Sequence, residues 1–232
     1  MNLVEKLCRN YLRRRGYMVS RFPSDDEDYL LRRYEDGRGG FDYDRYVSVQ
    51  TEGNRRKIEN VWADEETIGV ICDYLRSTGA PLRRGLCHGS RNGAEVRWFR
   101  EKLGIEVVGT DISDTAGQFG LVQWDFHKAR EDWVGRFDFI YTNSHDHAHD
   151  PRLAFSTWVD QLSETGVLLI EHTMAHSPDG VSELDPFGVD PRVLPYVLLN
   201  FSEGRYAVTR ILKPDHRKRG SPIWVFVVRR LG

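Results

Sequence analysis

From residue 85 onward, short apolar runs alternate with segments in which apolar residues recur at helical spacing. Apolar runs bounded by turn residues are typical of strands that a parallel sheet buries on both faces. The predicted strands are GLCH (85–88), IEVVGT (105–110), LVQW (121–124), FDFIYT (137–142) and VLLIEH (167–172). Helices are predicted over 94–103, from Asp150-Pro151 to a stop at Gly166, and around 191–201. This rhythm predicts an α/β protein with helices on both faces of a mostly parallel sheet.

The end of the chain departs from this rhythm. YAVTRIL (206–212) and IWVFVV (223–228) are strong strand patterns. The segment between them is too short for a helical crossover, so the two strands are expected to pair antiparallel. The sequence therefore predicts a terminal antiparallel hairpin.

The first 62 residues differ from the rest. A helix is predicted from Val4 to Gly16, and residues 17–60 form a loop-rich stretch of polar and aromatic residues. A long loop of this kind often covers a binding site. The next helix is predicted to begin after Asp64, a good N-cap, and to end near Gly79. We therefore divide the chain into an N-terminal helix and cap, 1–62, and a main domain, 63–232.

The composition of the chain limits the classes of partner and the cell compartment that we expect. A formal net charge of −2 gives no reason to expect a nucleic-acid or membrane partner. The basic runs Arg13–Arg15 and Arg217–Arg219 and the acidic run Asp25–Asp28 are interpreted as solvated surface. Three cysteines without disulfide spacing, and no apolar stretch of the ~20 residues that a membrane span needs, predict a cytoplasmic protein. Three tryptophans are predicted to lie in the core: Trp62, Trp98 and Trp133.

The turn after the first strand of the main domain reads HGSRNGAE. Glycines at a strand-to-helix turn let a ligand approach the backbone, and the amides of the helix N-terminus favour a negative charge. Arg91 stands where the dinucleotide fingerprint has its second glycine, which disfavours a nicotinamide or flavin cofactor. His88, just before the turn, is expected to be a packing residue.

Two carboxylates follow the next strands. Asp111 ends the second strand, where an acidic side chain can bind a ribose diol, although it could equally cap a loop. Asp125 and Phe126 follow the third strand, where a carboxylate and an aromatic ring could hold adenine, although Phe126 could be core. Because the carboxyl ends of parallel strands meet in one crevice, we expect these residues to share a site.

Residues 83–172 resemble the class I S-adenosylmethionine-dependent methyltransferases, in particular the small-molecule enzymes of type 11. The matching motifs are GLCHGSRNGAE, VVGTDIS, VQWDF, FDFIYTNSHDHAHDP and LSETGVLLIEHT. The resemblance implies a Rossmann-like, seven-stranded sheet that ends in an antiparallel hairpin, and S-adenosylmethionine as cofactor. The residues expected at the cofactor are Gly89, Ser90, Arg91, Gly93, Asp111, Ile112, Asp125, Phe126 and Asn143.

The loop after the fourth strand, NSHDHAHDP, resembles the Glu-His-x-x-Asp-Pro loop of that family, with Asp146 and His147 at the Glu-His places. The resemblance implies that this loop faces the transferred methyl group. Three interpretations stay open: a loop that orients the substrate, a general base, and a divalent metal site, which is not favoured. His145, Asp146 and His147 are therefore catalytic candidates. Ubiquinone-type methyltransferases bind metal at this loop, but Asn143 breaks their pattern.

Glu171 and His172 end the fifth strand and are further base candidates, while the turn 185–188 is expected to help roof the pocket. We expect O- or N-methylation of a small polar molecule, such as a sugar or a natural-product intermediate, by a protein that can form a homo-oligomer. The alternatives are a non-catalytic nucleotide-binding module and a nucleotide-dependent oxidoreductase. A nucleic-acid methyltransferase is disfavoured, because no (Asp/Asn)-Pro-Pro-(Tyr/Trp) motif follows the fourth strand.

Overall fold

A computed structural model describes residues 3–17 and 28–231 of the chain. Seven strands form one sheet in the spatial order β4-β3-β2-β5-β6-β9-β8. These strands are β2 (Arg84–His88), β3 (Glu106–Asp111), β4 (Val122–Gln123), β5 (Phe137–Thr142), β6 (Leu162–Thr173), β8 (Tyr206–Leu212) and β9 (Ile223–Arg230). Strands β2 to β6 run parallel, whereas β9 is antiparallel to both β6 and β8. The predicted Rossmann-like sheet and its terminal hairpin are confirmed.

Helices cover both faces of this sheet, as expected. On one face, α3 (Glu65–Ser77) and α4 (Ala94–Leu103) bury Ile68, Ile71 and Phe99 against the sheet. On the other face, α5 (Pro151–Asp160) and α6 (Leu194–Ser202) bury Phe155, Trp158 and Leu198. The remaining helices are α1 (Leu3–Arg14) and α2 (Tyr43–Arg56). In residues 3–17 and 28–231, none of the helices has both the length and the apolar character needed to cross a membrane.

Local sequence explains where two helices begin. The Asp64 carboxylate accepts a hydrogen bond from the backbone N–H of Thr67 and so caps α3. Asp150 caps α5 in the same way through the N–H of Leu153, and Pro151 follows at a position where no N–H is needed. The predicted caps at Asp64 and Asp150 are therefore confirmed.

The predicted stop of α5 at Gly166 is wrong. The helix ends at Asp160, and β6 begins at Leu162, so Gly166 lies inside a strand. The pairing of β5 with β6 shifts register here, and a Cβ at Gly166 would lie only 2.7 Å from the carbonyl oxygen of Phe137. The glycine permits a close approach of two backbones rather than ending a helix.

The segment 17–60 is less loop-like than the sequence suggests. It contains β1 (Tyr29–Leu31), which pairs antiparallel with β7 (Phe187–Val189) in a second, two-stranded sheet. It also contains α2, which begins at Asp42, whose carboxylate accepts from the N–H of Arg45. Residues 18–27, with most of the acidic run 25–28, lie outside the described residues.

The prediction that all three tryptophans lie in the core is partly wrong. Trp133 is buried against Phe137 and belongs to the core. Trp62 and Trp98 are only half-buried. Trp62 precedes α3 and lines a cavity instead.

Candidate functional site

Two adjoining spaces lie beyond the carboxyl ends of β2, β3 and β5. The smaller one, called the slot, has a volume of about 30 Å³. The larger one, called the cavity, has a volume of about 250 Å³. The slot is lined by Tyr46, Gln50, Asn54, Gly89, Arg91, Asp111, Ile112, Asp125, Phe126, Ser144 and His147. Gly89, Arg91, Ser144 and His147 line both spaces, so the slot and the cavity meet at these four residues.

The turn between β2 and α4 brings the backbone to this junction. Gly89, Arg91 and Gly93 all adopt positive φ, at 72°, 42° and 68°. A Cβ at Gly89 would lie 2.6 Å from the Cβ of Ser144, so only glycine fits there. Arg91 thus adopts the left-handed conformation that its place in the turn requires. Its guanidinium donates to the side-chain oxygen of Asn54 and to the carbonyl of Asn60.

Asp111 lies at the end of β3, where it is only 4% exposed. Its carboxylate accepts hydrogen bonds from the backbone N–H groups of Arg91 (2.9 Å) and Ser113 (2.8 Å) and from the side chain of Asn54. Burial raises the pKa of Asp111, although these donors oppose the shift. The structure therefore places a buried carboxylate with fixed orientation on the wall of the slot.

Asp125 lines the same slot from the loop after β4. One of its oxygens accepts from the backbone and the ring Nδ1 of His127, and the other accepts from the Tyr43 hydroxyl at 3.1 Å. Burial opposes the charge of Asp125, but the bonds from His127 outweigh it and lower its pKa to about 2. Phe126 lies beside it, edge-on to Trp158 in the core.

Helix α2 covers the slot. Its buried residues Tyr46, Gln50 and Gly53 face inward, and Asn54 binds Asp111 directly. Leu184 packs where a Cβ at Gly53 would lie, 2.4 Å from its Cδ1. Because side chains of α2 extend into the slot and bind its polar groups, the free volume of the slot is small.

At the junction, a polar cluster is formed by Asp146, His147 and Asp185. The ring Nδ1 of His147 lies 2.9 Å from the side-chain oxygen of Gln50 and 2.9 Å from the carbonyl oxygen of Leu184. Both neighbours are acceptors, so Nδ1 carries the hydrogen and Nε2 keeps its lone pair. Nε2 lies 3.5 Å from Asp185 Oδ1 and 4.0 Å from Asp146 Oδ1.

The environment of this cluster sets its protonation. Burial lowers the pKa of His147, and the Asp185 carboxylate opposes that shift. Burial, aided by Asp185, raises the pKa of Asp146 well above its usual value. Asp146 Oδ1 is buried without a hydrogen-bond partner. At neutral pH, His147 is consequently an uncharged proton acceptor at the edge of the cavity.

Two predicted catalytic histidines do not reach the cavity, and this corrects the sequence analysis. His145 and His172 are fully buried and form a sealed cluster, in which His145 Nε2 lies 2.9 Å from His172 Nδ1. His176 packs against both rings and lines the cavity. Neither His145 nor His172 lines the slot or the cavity. Burial lowers the pKa of His172 to about 3 and that of His145 well below its usual value.

The prediction for Glu171 needs the same correction. Glu171 is fully buried, and its carboxylate accepts from the Tyr141 hydroxyl at 2.6 Å and from the ammonium group of Lys218. Tyr141 in turn accepts from the Asn143 side chain. Because its oxygens are bound inside the protein, Glu171 acts as an internal counterion to Lys218.

Three groups among residues 28–231 have the spacing of metal ligands: His145, His172 and His176; Asp125, His127 and His149; Asp146, His147 and Asp185. His176 Nδ1 accepts the N–H of Thr173, so its Nε2 carries a hydrogen and is not free to bind a cation. His127 accepts the N–H of Asp150 at Nε2 and donates to Asp125 from Nδ1. Of these three groups, the junction cluster contains the histidine that borders both the slot and the cavity, His147.

Sequence reasoning missed the contribution of α2 and of the distant cavity residues. Tyr46, Gln50 and Gly53 are spaced as one helical face, but their types give no apolar signal. Asp185 belongs to the turn 185–188, which the sequence analysis expects to help roof the pocket, and its side chain lines the cavity. The cavity is lined in addition by residues that the sequence analysis did not select: Lys57, Asn60, Val61, Trp62, Ala63, Asn92, Glu95, Ala175, His176 and Arg219.

Solved structures similar to this chain are methyltransferases. The 1,6-didemethyltoxoflavin-N1-methyltransferase of Burkholderia thailandensis, with bound 1,6-didemethyltoxoflavin and S-adenosylhomocysteine, is 15% identical, with a TM-score of 0.63 over 90% of this chain and 99% of that one. Magnesium protoporphyrin IX methyltransferase from Synechocystis, with bound S-adenosylmethionine, is 13% identical, with a TM-score of 0.55 over 81% and 98%. A glycopeptide N-methyltransferase complexed with sinefungin is 16% identical, with a TM-score of 0.53 over 69% and 85%.

No protein-family model and no curated protein sequence matches the chain. At identities of 10 to 16%, the structural similarity establishes the fold. The chain has the fold of the class I S-adenosylmethionine-dependent methyltransferases.

Proposed function

We propose that this chain is an S-adenosylmethionine-dependent methyltransferase that acts on a small polar molecule. One observation carries the proposal. Gly89, Asp111 and Asp125, which come from three different strand ends, line one slot, and this slot opens into a cavity beside His147. The similar solved structures of the same fold, which hold S-adenosylmethionine or S-adenosylhomocysteine, support this assignment.

The residues of the slot suit a nucleoside. The Asp111 carboxylate is suited to accept both hydroxyls of a ribose, and Asp125 with Phe126 offers an acceptor and a ring to adenine. The amides at the start of α4 favour the carboxylate of an amino acid. In this structure, Asn54 donates a hydrogen bond to Asp111, and Tyr43 donates one to Asp125. Because both donors belong to α2, we expect α2 to move outward when the cofactor enters.

When bound, S-adenosylmethionine supplies an electrophilic methyl group and leaves as S-adenosylhomocysteine, while the acceptor atom loses a proton. The Nε2 atom of His147 takes this proton, because its lone pair faces the junction of the slot and the cavity. The carbonyl of Leu184, which lies outside α2, fixes the ring by accepting the hydrogen at Nδ1. The Asp185 carboxylate, 3.5 Å from Nε2, stabilises the imidazolium that results. General-base catalysis of this kind contributes about 10²- to 10⁴-fold to the rate.

Calorimetry with S-adenosylmethionine and S-adenosylhomocysteine tests the cofactor assignment. Wild type should bind both, and Asp111→Ala should abolish binding, because it removes the acceptor for the ribose hydroxyls. Asp73→Ala is the matched control, since it removes an exposed carboxylate of α3 that lines neither space. If the Asp111 variant binds either ligand as tightly as wild type, the assignment is wrong.

A further inference from the structure

Three cationic side chains line the cavity: Lys57, Arg91 and Arg219. Among the described residues, Lys57 and Arg219 make no ion pair with a carboxylate, and the Arg91 guanidinium binds only the neutral oxygens of Asn54 and Asn60. The chain as a whole carries a net charge of −2, so this concentration of unpaired positive charge is local. Unpaired cations on the wall of a cavity attract an anionic ligand.

The loop between β8 and β9 holds Arg219 at the mouth of the cavity. Its neighbour Lys218 is buried and binds Glu171, and Lys218 also exchanges two backbone hydrogen bonds with Ser221. Arg219 itself has a positive φ of 49°, a conformation that residues with side chains rarely adopt. The buried ion pair therefore fixes a strained turn, and that turn directs Arg219 toward Trp62, with its guanidinium carbon 4.9 Å from the ring centroid.

Trp62 supplies a flat wall to the same cavity. The Arg219 guanidinium carbon lies 4.9 Å and the Lys218 ammonium 5.0 Å from its ring centroid, and its indole Nε1 is buried without a hydrogen-bond partner. A buried N–H without an acceptor is costly. An oxygen of a bound molecule would satisfy this donor after a small shift of the ring.

The carboxyl groups of the cavity offset only part of this positive charge. Burial raises the pKa of Glu95 to about 7 and that of Asp146 well above its usual value, which favours their neutral forms. Asp185 also lines the cavity, where its Oδ1 lies 3.5 Å from His147 Nε2. Lys57 and Arg219 line the cavity but not the slot, so their charge is available to the acceptor rather than to the nucleoside.

We propose that the methyl acceptor carries an anionic oxygen group, a carboxylate or a phosphate, which Lys57 and Arg219 bind while a planar part of the molecule lies against Trp62. This proposal rests on the proposed function, because it names the substrate class of the same site. Hydrogen bonds between ionised partners are about twice as strong as neutral ones, so the charged group gives the acceptor much of its affinity.

Three small probes test the proposal without knowledge of the natural acceptor: benzoate, phenyl phosphate and benzamide. Their binding to the full chain with S-adenosylhomocysteine is measured by ligand-observed NMR. Benzoate or phenyl phosphate should bind at least about tenfold more tightly than neutral benzamide. Tighter binding of benzoate indicates an acceptor with a carboxylate, and tighter binding of phenyl phosphate indicates an acceptor with a phosphate. The double variant Lys57→Gln/Arg219→Gln should lose this preference, and Lys213→Gln, an exposed residue of the same loop, should keep it.

Several outcomes overturn the proposal. Equal binding of the acids and the amide, no binding of either acid, or an unchanged preference in the double variant would each do so. If Lys57→Gln weakens S-adenosylmethionine binding instead, Lys57 serves the cofactor, and the assignment of an anionic acceptor fails. A wild-type protein that binds neither cofactor in calorimetry contradicts the proposed function, whereas the probe result still reports on the cavity.

Discussion

His145 and His147 lie two residues apart on one short turn, yet they enter very different surroundings. His145 joins His172 in a sealed cluster where imidazoles contact each other and the core. His147 reaches the junction of the slot and the cavity, with carboxylates near its free Nε2. Burial lowers the pKa of both, so the difference lies in access and in partners. Neither residue type nor spacing indicates which of the two histidines reaches the cavity; that depends on which side of the turn each ring occupies.

The largest effect should come from His147→Ala. Loss of the base should lower kcat about 10²- to 10⁴-fold, while S-adenosylmethionine binding measured by calorimetry stays near wild type. The rate is followed by transfer of labelled methyl from the cofactor to an acceptor. His145→Ala is the matched comparison and should keep most of the activity of the folded protein. Equal activity losses in the two variants would erase the distinction between the two regions.

The sealed cluster should instead govern stability in acid. The pKa of His172 is about 3 in the folded state and about 6.5 in the unfolded state, so the unfolded chain binds more protons between these values. The free energy of unfolding should therefore fall as pH decreases from 6.5 toward 3, by about 3 kcal/mol at pH 4 from His172 alone. Urea denaturation at pH 7 and pH 4 measures this loss. His172→Asn should reduce the pH dependence, and an unchanged dependence would contradict the assignment.

His145→Ala should also lower the free energy of unfolding at neutral pH, by about 2 kcal/mol. The variant leaves a cavity in the core and removes the hydrogen-bond partner of His172 Nδ1. Urea denaturation at pH 7 provides the measurement, with His147→Ala as the comparison, because that ring borders open space. If His147→Ala lowers the free energy of unfolding more than His145→Ala does, the structural roles that we assign to the two residues are wrong.

The slot resembles the sealed cluster, because its polar groups already bind each other. Asn54→Ala frees the Asp111 carboxylate and should tighten S-adenosylmethionine binding about fivefold, the equivalent of one hydrogen bond of about 1 kcal/mol. Calorimetry reports the change. Weaker binding would show that Asn54 contacts the cofactor instead of competing with it.

The smallest effect is expected from a chelator. The mechanism that we propose uses the Nε2 lone pair of His147 as a direct proton acceptor and needs no metal, so EDTA treatment should leave methyl transfer unchanged. Activity that falls with EDTA and returns with magnesium would show that Asp146, His147 and Asp185 bind a cation. That result would change the role of the junction cluster from proton acceptor to ligand set.

The sheet and its order of elements were predictable because each strand is a compact apolar run between turn residues. Asp111 and Asp125 were predictable as neighbours because the ends of adjacent parallel strands meet. Helix α2 was not, because its buried face consists of tyrosine, glutamine and glycine. The burial of Glu171 depends on Lys218, a partner 47 positions away that no local pattern indicates. Distant pairings of this kind also bring Trp62 and Asp185 to the cavity.

The pairing of Tyr29–Leu31 with Phe187–Val189 has a consequence for biosynthesis. During translation, the first of these strands leaves the ribosome long before its partner exists, so the small sheet cannot form until the chain up to residue 189 has been made. Contacts between distant parts of a chain also form slowly, because a large loop must close first. Leu184, which packs against α2 at Gly53, arrives equally late. A nascent chain therefore completes the enclosure of its slot only after residue 189 has been synthesised.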